Sequence, residues 1–170
     1  STLKALFQGR RELFKGLAID KMDYNWKTYP VIHLDFGNAG VDSVGELNDQ
    51  LSSMLEDAAD ENTISLHGKG VAIQFKNLVN DLAKRAKQEL LAKDPAKKID
   101  DAQVVILVDE YDKPILSNVD NPKASNLLKV LKQFYSVIKK CEGKVRFAFI
   151  TGVSKFAHVS LFSDLNNLTD

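Results

Sequence analysis

The run Gln103-Val104-Val105-Ile106-Leu107-Val108, which stops abruptly at Asp109-Glu110-Tyr111-Asp112-Lys113-Pro114, decides how this chain is read. A continuous apolar, β-branched run of that length suits a strand covered on both faces, where each side of the pleat meets packed side chains rather than water. It marks the central strand of a sheet. A strand that ends in two adjacent carboxylates sets them at the solvent-facing edge, and successive side chains on a strand point to opposite sides, so the two acids suit two different tasks.

Upstream, Pro30-Val31-Ile32-His33-Leu34-Asp35-Phe36 reads as a strand over 31–35, closed by Gly37 and Gly40. Ser43-Val44-Gly45-Glu46 matches a capping box, and Val44, Leu47, Leu51, Leu55 and Ala58 then recur at helical spacing. After the polar stretch 60–70, Phe75, Leu78, Val79, Leu82, Ala86 and Leu90 mark a second helix that fades near Pro95. Downstream, Asn121-Pro122 reads as a helix start, with Leu127, Leu128, Leu131, Phe134, Tyr135 and Ile138 as its buried stripe up to Gly143. Val145 to Ile150 is then a third strand, ending in Thr151-Gly152, and the tail through Phe156, Leu161, Phe162 and Leu165 reads as loop and short helix. At the other end, Leu3, Leu6 and Phe7 show helical spacing without a start signal, which implies a helix begun upstream of Ser1; it breaks near Gly9, and a short turn through Leu13 and Phe14 ends at Gly16.

Strands alternating with helices give an α/β chain, a three-layer α/β/α arrangement around a mainly parallel sheet. Ligands of such sheets gather beyond the carboxyl ends of the strands, and three strands end there in Asp35, in Asp109 with Glu110, and in Thr151.

The totals bound the function class. A chain of 170 residues, 44% hydrophobic and 27% charged, suits one compact soluble domain. Lys plus Arg number 23 and Asp plus Glu 23, so no global field would hold the protein on nucleic acid or on an anionic membrane. Lys84, Arg85, Lys87, Lys97 and Lys98 are locally basic, but interspersed acids make that stretch a solvated face. The single cysteine, Cys141, excludes an internal disulfide and fits a reducing cytoplasm as a buried thiol. No apolar run approaches the roughly 20 residues of a membrane helix, and no signal-peptide core is present, so a soluble, cytoplasmic protein is expected.

The segment Asp109-Glu110-Tyr111-Asp112-Lys113-Pro114-Ile115-Leu116 resembles the Walker B segment of the bacterial and archaeal AAA-ATPase-like family of P-loop NTPases, whose members often carry a PD-(D/E)XK-type nuclease domain downstream. Tyr29 to Phe36 resembles that family's second strand, Phe149 to Phe156 its fourth strand and the residues just past it, and Ser160 to Leu168 extends the likeness toward the C-terminus. By this resemblance Asp109 is the Mg²⁺ acid, Glu110 the water-activating base, and Thr151 a polar sensor near the terminal phosphate of ATP. Asp112, Lys113 and Asp35 are candidates for the surrounding cofactor site; Asp112 and Lys113 equally suit a pair that orients the loop, and Asp35 a loop cap.

The departure from the family pattern is as informative. Nothing here matches Gly-x-x-x-x-Gly-Lys-Ser/Thr, whose amides and lysine cradle phosphate, and Gly68-Lys69-Gly70 follows no strand and reads as an ordinary loop. In the family that loop precedes a helix resembling Ser1 to Phe7, which implies a truncated single domain over 1–170 that begins just past it. Three parallel strands are then expected, with 103–108 in the middle and 145–150 left as an unpaired edge prone to self-association. His33, His67 and His158 lack clustered acids at ligand spacing and read as structural, and the aromatics around Trp26 read as packing under the first strand. The leading expectation is part of a Mg²⁺-dependent ATPase, inert in isolation, with nucleic acid as a partner only through an attached nuclease domain. A non-hydrolysing interaction module is the alternative, and a metal-dependent nuclease using Asp109, Glu110 and Lys113 comes last because the usual Glu-x-Lys spacing is absent.

Overall fold

The computed structural model describes residues 1–37, 40–96, 98–118, 122 and 124–153. Three strands, β1 (Val31–Asp35), β2 (Val104–Asp109) and β3 (Val145–Ile150), form one parallel sheet in the order β1-β2-β3. The central place of β2 follows from its sequence, since Val104 to Val108 are all buried. The outer strands keep the expected limits, and the middle one is offset by a residue. Gln103 stays outside it, its side-chain amide donating to the Asp100 carbonyl at 2.5 Å. Asp109 joins it because its carbonyl accepts the Phe36 N–H at 3.0 Å, which carries the ladder one step further.

The period-2 alternation divides the side chains between two layers. On one face Ile32, Leu34, Val104, Ile106 and Val108 meet the helices α2 (Val44–Glu61), α3 (Val71–Lys93) and α5 (Ala124–Lys140) in a single large core. Phe75 and Phe134 stack there with ring centres 4.7 Å apart, joining α3 to α5. On the other face Val31, Val105 and Leu107 lie beneath Leu3 and Phe7 of the short helix α1 (Thr2–Phe7) and beneath Tyr29. The α/β/α layering is therefore present, with one thick helical layer and one thin one.

The thin layer leaves β3 half covered. Phe147 and Phe149 align with Val105 and Leu107, hence on the α1 face, yet they remain 37% and 43% exposed. Phe7 reaches Phe147 at 5.2 Å, and Phe147 and Phe149 stack on each other at 6.3 Å. Among the described residues β3 is an edge strand, as anticipated for 145–150.

Local signals account for most boundaries. Ser43 Oγ accepts the Glu46 N–H at 3.2 Å, half of the capping box; the return bond from Glu46 goes to the Asp42 N–H at 2.8 Å, one residue earlier than the motif implies. Helix α3 starts a turn ahead of Phe75, at Val71, just after Gly70, whose φ of 84° suits glycine and sets the chain into the helix. The turn helix α4 (Lys113–Leu116) is an addition to the elements expected from periodicity; Pro114 in its first turn loses no hydrogen bond there. The expected helix start at Asn121, and the readings placed on Lys97 and on the tail from Ser154 onward, fall outside the described residues. No helix of the described residues is long and apolar enough to cross a membrane.

Cys141 packs against this core just past α5. Burial pushes its thiol pKa up, and nearby Lys144, Lys76 and Lys140 offset only part of that shift. A raised pKa means that the fold holds the neutral thiol. Its contribution is complete below the ordinary thiol range of about 8.5 and is lost as pH rises through the folded value. An aromatic disulfide reagent should label Cys141 slowly in native buffer and fast in denaturing urea; labelling at the free-thiol rate without denaturant would contradict the burial.

Candidate functional site

The strand tips meet at one height because Asp35 is in register with Asp109 and Val108 with Ile150. Asp109 is the centre of what gathers there. Its Oδ2 lies 2.8 Å from His33 Nε2, and its Oδ1 accepts from Thr151 Oγ1 at 3.0 Å. An ionised carboxylate can only accept, so Nε2 is the imidazole nitrogen that carries the hydrogen. Burial by itself would raise the Asp109 pKa. The hydrogen bonds from His33 and Thr151, together with attraction to His33, outweigh that and hold the carboxyl below its usual range. Asp109 is therefore ionised at neutral pH, with a part-exposed side chain.

Glu110 leaves the strand in the left-handed region, with φ of 54°. A non-glycine residue there is strained by about 1 kcal/mol or more and persists only where its surroundings over-determine it. Those surroundings are visible. The Glu110 N–H points at Thr151 Oγ1 at 3.4 Å, the Tyr111 N–H donates to the Thr151 carbonyl at 3.0 Å, and the Tyr135 hydroxyl donates to the Tyr111 carbonyl at 3.3 Å. The kink turns the Glu110 side chain toward β1. Its Oε2 accepts from Lys113 Nζ at 3.1 Å, while Oε1 sits 3.5 Å from where a Cβ on Gly37 would stand. Asp35 Oδ1 lies 3.0 Å from the same point and accepts the Gly37 N–H at 2.8 Å, so the absence of a side chain on Gly37 lets two carboxylates approach it closely.

Of the residues singled out in the sequence, Asp109, Glu110, Thr151, Asp35 and Lys113 come together at this edge. Asp35 caps the turn after β1, and Lys113 orients Glu110. Asp112 is buried and its Oδ2 accepts the Val153 N–H at 3.0 Å, which ties the loop after β2 to the chain leaving β3. His67 is engaged elsewhere, with Asp81 at 2.8 Å and with Asn77, and Gly68-Lys69-Gly70 is the turn that opens α3. Trp26 packs with Phe14 and Tyr24. His158 lies outside the described residues. A shallow groove lined by Pro30, Asn62, Arg85 and Gln103, among others, sits at the opposite, amino-terminal end of the strands.

His33 is the site residue that sequence reasoning missed. The one signal for it was its place two residues before Asp35, which puts both on the same face of a strand. Its contact with Asp109 depends on the register between two strands separated by more than 70 residues.

Among the described residues no three His, Cys, Asp or Glu side chains cluster as a ready metal cage. Mg²⁺ at a phosphate site needs only one or two carboxylates, with water and phosphate oxygens completing its octahedron. The ionised, part-exposed Asp109 fits that requirement. Gly152 is the tightest point of the surroundings, since a Cβ there would lie 2.6 Å from Tyr111 Cδ1 and 2.8 Å from Asp112 Oδ1. Gly152→Ala should therefore destabilise the fold by about 1–3 kcal/mol in urea titration; an unchanged midpoint would show that the two loops do not approach so closely.

A family model described as a predicted AAA-ATPase matches residues 1–162. A protein of Azotobacter chroococcum mcd 1, described as an uncharacterized protein in the vnfD 5′ region, is 38% identical over 171 residues, covering 99% of this chain and 30% of that protein. The chain thus spans under a third of the length of that relative. No solved structure matches this chain. The family match runs through all three strands and the Asp109–Thr151 edge. Nucleotide and Mg²⁺ use are what such a family implies in general. The chain belongs to the AAA-ATPase-like family.

Proposed function

We propose that this chain supplies the metal-and-water half of an ATPase site, with the phosphate-binding loop provided by residues that precede Ser1 in the longer protein. The observation that carries the reading is the Asp109 carboxylate held between His33 and Thr151 beside a strained Glu110, at the carboxyl edge of the sheet. Family membership makes that edge the place to look for ATP chemistry.

In this reading Asp109 is the metal acid, ionised and oriented by hydrogen bonds on both oxygens. Bound Mg²⁺ supplies charge neutralisation across the phosphates. Glu110 accepts the proton of the water that attacks the terminal phosphate; Lys113 engages Oε2, which leaves Oε1, on the Gly37 side, as the oxygen to take it. Thr151 holds Asp109 through its hydroxyl and stands beside the terminal phosphate as the polar sensor. Asp35 bounds the corner opposite Glu110. Asp112 and Lys113 shape the loop rather than bind the metal, a role supported by the Asp112 bond to Val153 and the Lys113 pair with Glu110.

Two observations support an upstream phosphate loop. The sequence has no Gly-x-x-x-x-Gly-Lys-Ser/Thr motif of its own, and α1 lies on the sheet face of Leu107 with its last residue, Phe7, bonded to Tyr29 ahead of β1, so its first residues lie toward the carboxyl edge. The outer edge of β3, unpaired among the described residues, is where the strand leading to that loop would pair. On this account 1–170 is a truncated domain whose exposed edge favours self-association, and the intact protein is cytoplasmic. Nucleic acid enters as a partner only through a nuclease domain elsewhere in the longer chain.

Glu110→Gln in the full-length protein should lower ATP turnover by about 10²–10⁴-fold while leaving nucleotide binding in place. Unchanged turnover would sink this reading; no turnover from the unmutated full-length protein would favour an interaction module. The isolated 170-residue chain should show no tight Mg²⁺-dependent ATP binding by calorimetry, because the cradle that dominates phosphoryl binding is missing. Tight binding would place the phosphate site within these residues and refute the division.

A further inference from the structure

The histidine on β1 is a group at this edge to which the family resemblance assigned no role. His33 is only 18% exposed and reaches the outer oxygen of Asp109 from the neighbouring strand. Thr151, from the chain beyond β3, takes the other oxygen. The carboxylate is thus held by one donor from β1 and one from the residue that follows β3, and its plane is fixed along both edges.

Such an arrangement has a chemical consequence. Each carboxylate oxygen offers about two lone-pair directions, and one donor on each leaves one free. With the plane fixed, the two free directions are fixed as well, and they are what a cation or its water shell would meet. A single donor would leave the carboxylate free to rock about the bond to its own Cβ. Groups that orient a metal-binding side chain typically change metal affinity or activity by about 10–100-fold when removed.

We propose that His33 is a positioning residue for the divalent cation, acting through its Nε2–H bond to Asp109 Oδ2. The inference rests on the reading of Asp109 as the metal acid, and it assigns His33 no contact with substrate. The competing explanation is that the His33–Asp109 pair only joins β1 to β2. That pair would then matter for stability and not for the cation.

The test uses the full-length protein with saturating ADP and follows Mn²⁺ as the probe, by the electron paramagnetic resonance of the free ion. His33→Ala should weaken Mn²⁺ binding about tenfold while leaving metal-free ADP binding unchanged. His33→Gln, whose amide nitrogen can take the place of Nε2, should regain most of the lost affinity. Asp109→Asn is the control. If it weakens Mn²⁺ binding and His33→Ala does not, the positioning role is overturned and the site reading survives. If Asp109→Asn leaves Mn²⁺ binding intact, the site reading itself fails. Should the alanine variant not fold, His33→Phe keeps the ring without the donor: weak Mn²⁺ binding by Phe but not by Gln supports the proposal, and equal behaviour of the two overturns it.

Discussion

The structure depends on β2 being dry on both faces. Val104 to Val108 can be buried throughout only if helices cover one side, α1 covers the other, and a parallel strand pairs along each edge. Once those conditions are met, the chain has no freedom over where Asp109 emerges. It leaves the core at the one edge where β1 and the end of β3 also leave it, and the donors His33 and Thr151 are waiting there. Position and charge state of the carboxylate are consequences of the way the apolar strand is buried.

The same edge is where local preferences are overridden. Glu110 adopts a backbone conformation that its side chain disfavours, and Gly152 is pressed against Tyr111 and Asp112 with no room for a Cβ. Neither feature helps the fold by itself. Both are held by the hydrogen bonds that run from Thr151 to Glu110 and Tyr111 and from Tyr135 to Tyr111, and their joint effect is to swing Glu110 off the strand axis toward Gly37. Trp26 and Thr63 adopt the same left-handed backbone away from this edge, so the turn at Glu110 is distinguished by its place beside the ionised Asp109 and not by its strain.

The imbalance between the two helical layers has a bearing on the whole protein. The α2, α3 and α5 side is closed by large aromatic and aliphatic contacts, whereas β3 presents Phe147 and Phe149 part exposed, with Phe7 against Phe147 among the described residues. An apolar parallel edge is a template for further pairing. The chain spans under a third of the length of its Azotobacter relative.

Much of this was legible in the sequence. The strands at 31–35 and 145–150, the middle strand to within one residue, the helix capped by Ser43, and the meeting of Asp35, Asp109, Glu110 and Thr151 at one edge follow from periodicity and from the geometry of parallel sheets. Those features are local, or are imposed by rules that every such sheet obeys. Asp112 as a buried tie to Val153, the left-handed turn at Glu110, the squeeze at Gly152 and above all the His33–Asp109 bond were decided only by tertiary structure. Each depends on the register and spacing of segments more than 30 residues apart. No local pattern encodes those quantities, because they are set by how the whole core packs around β2.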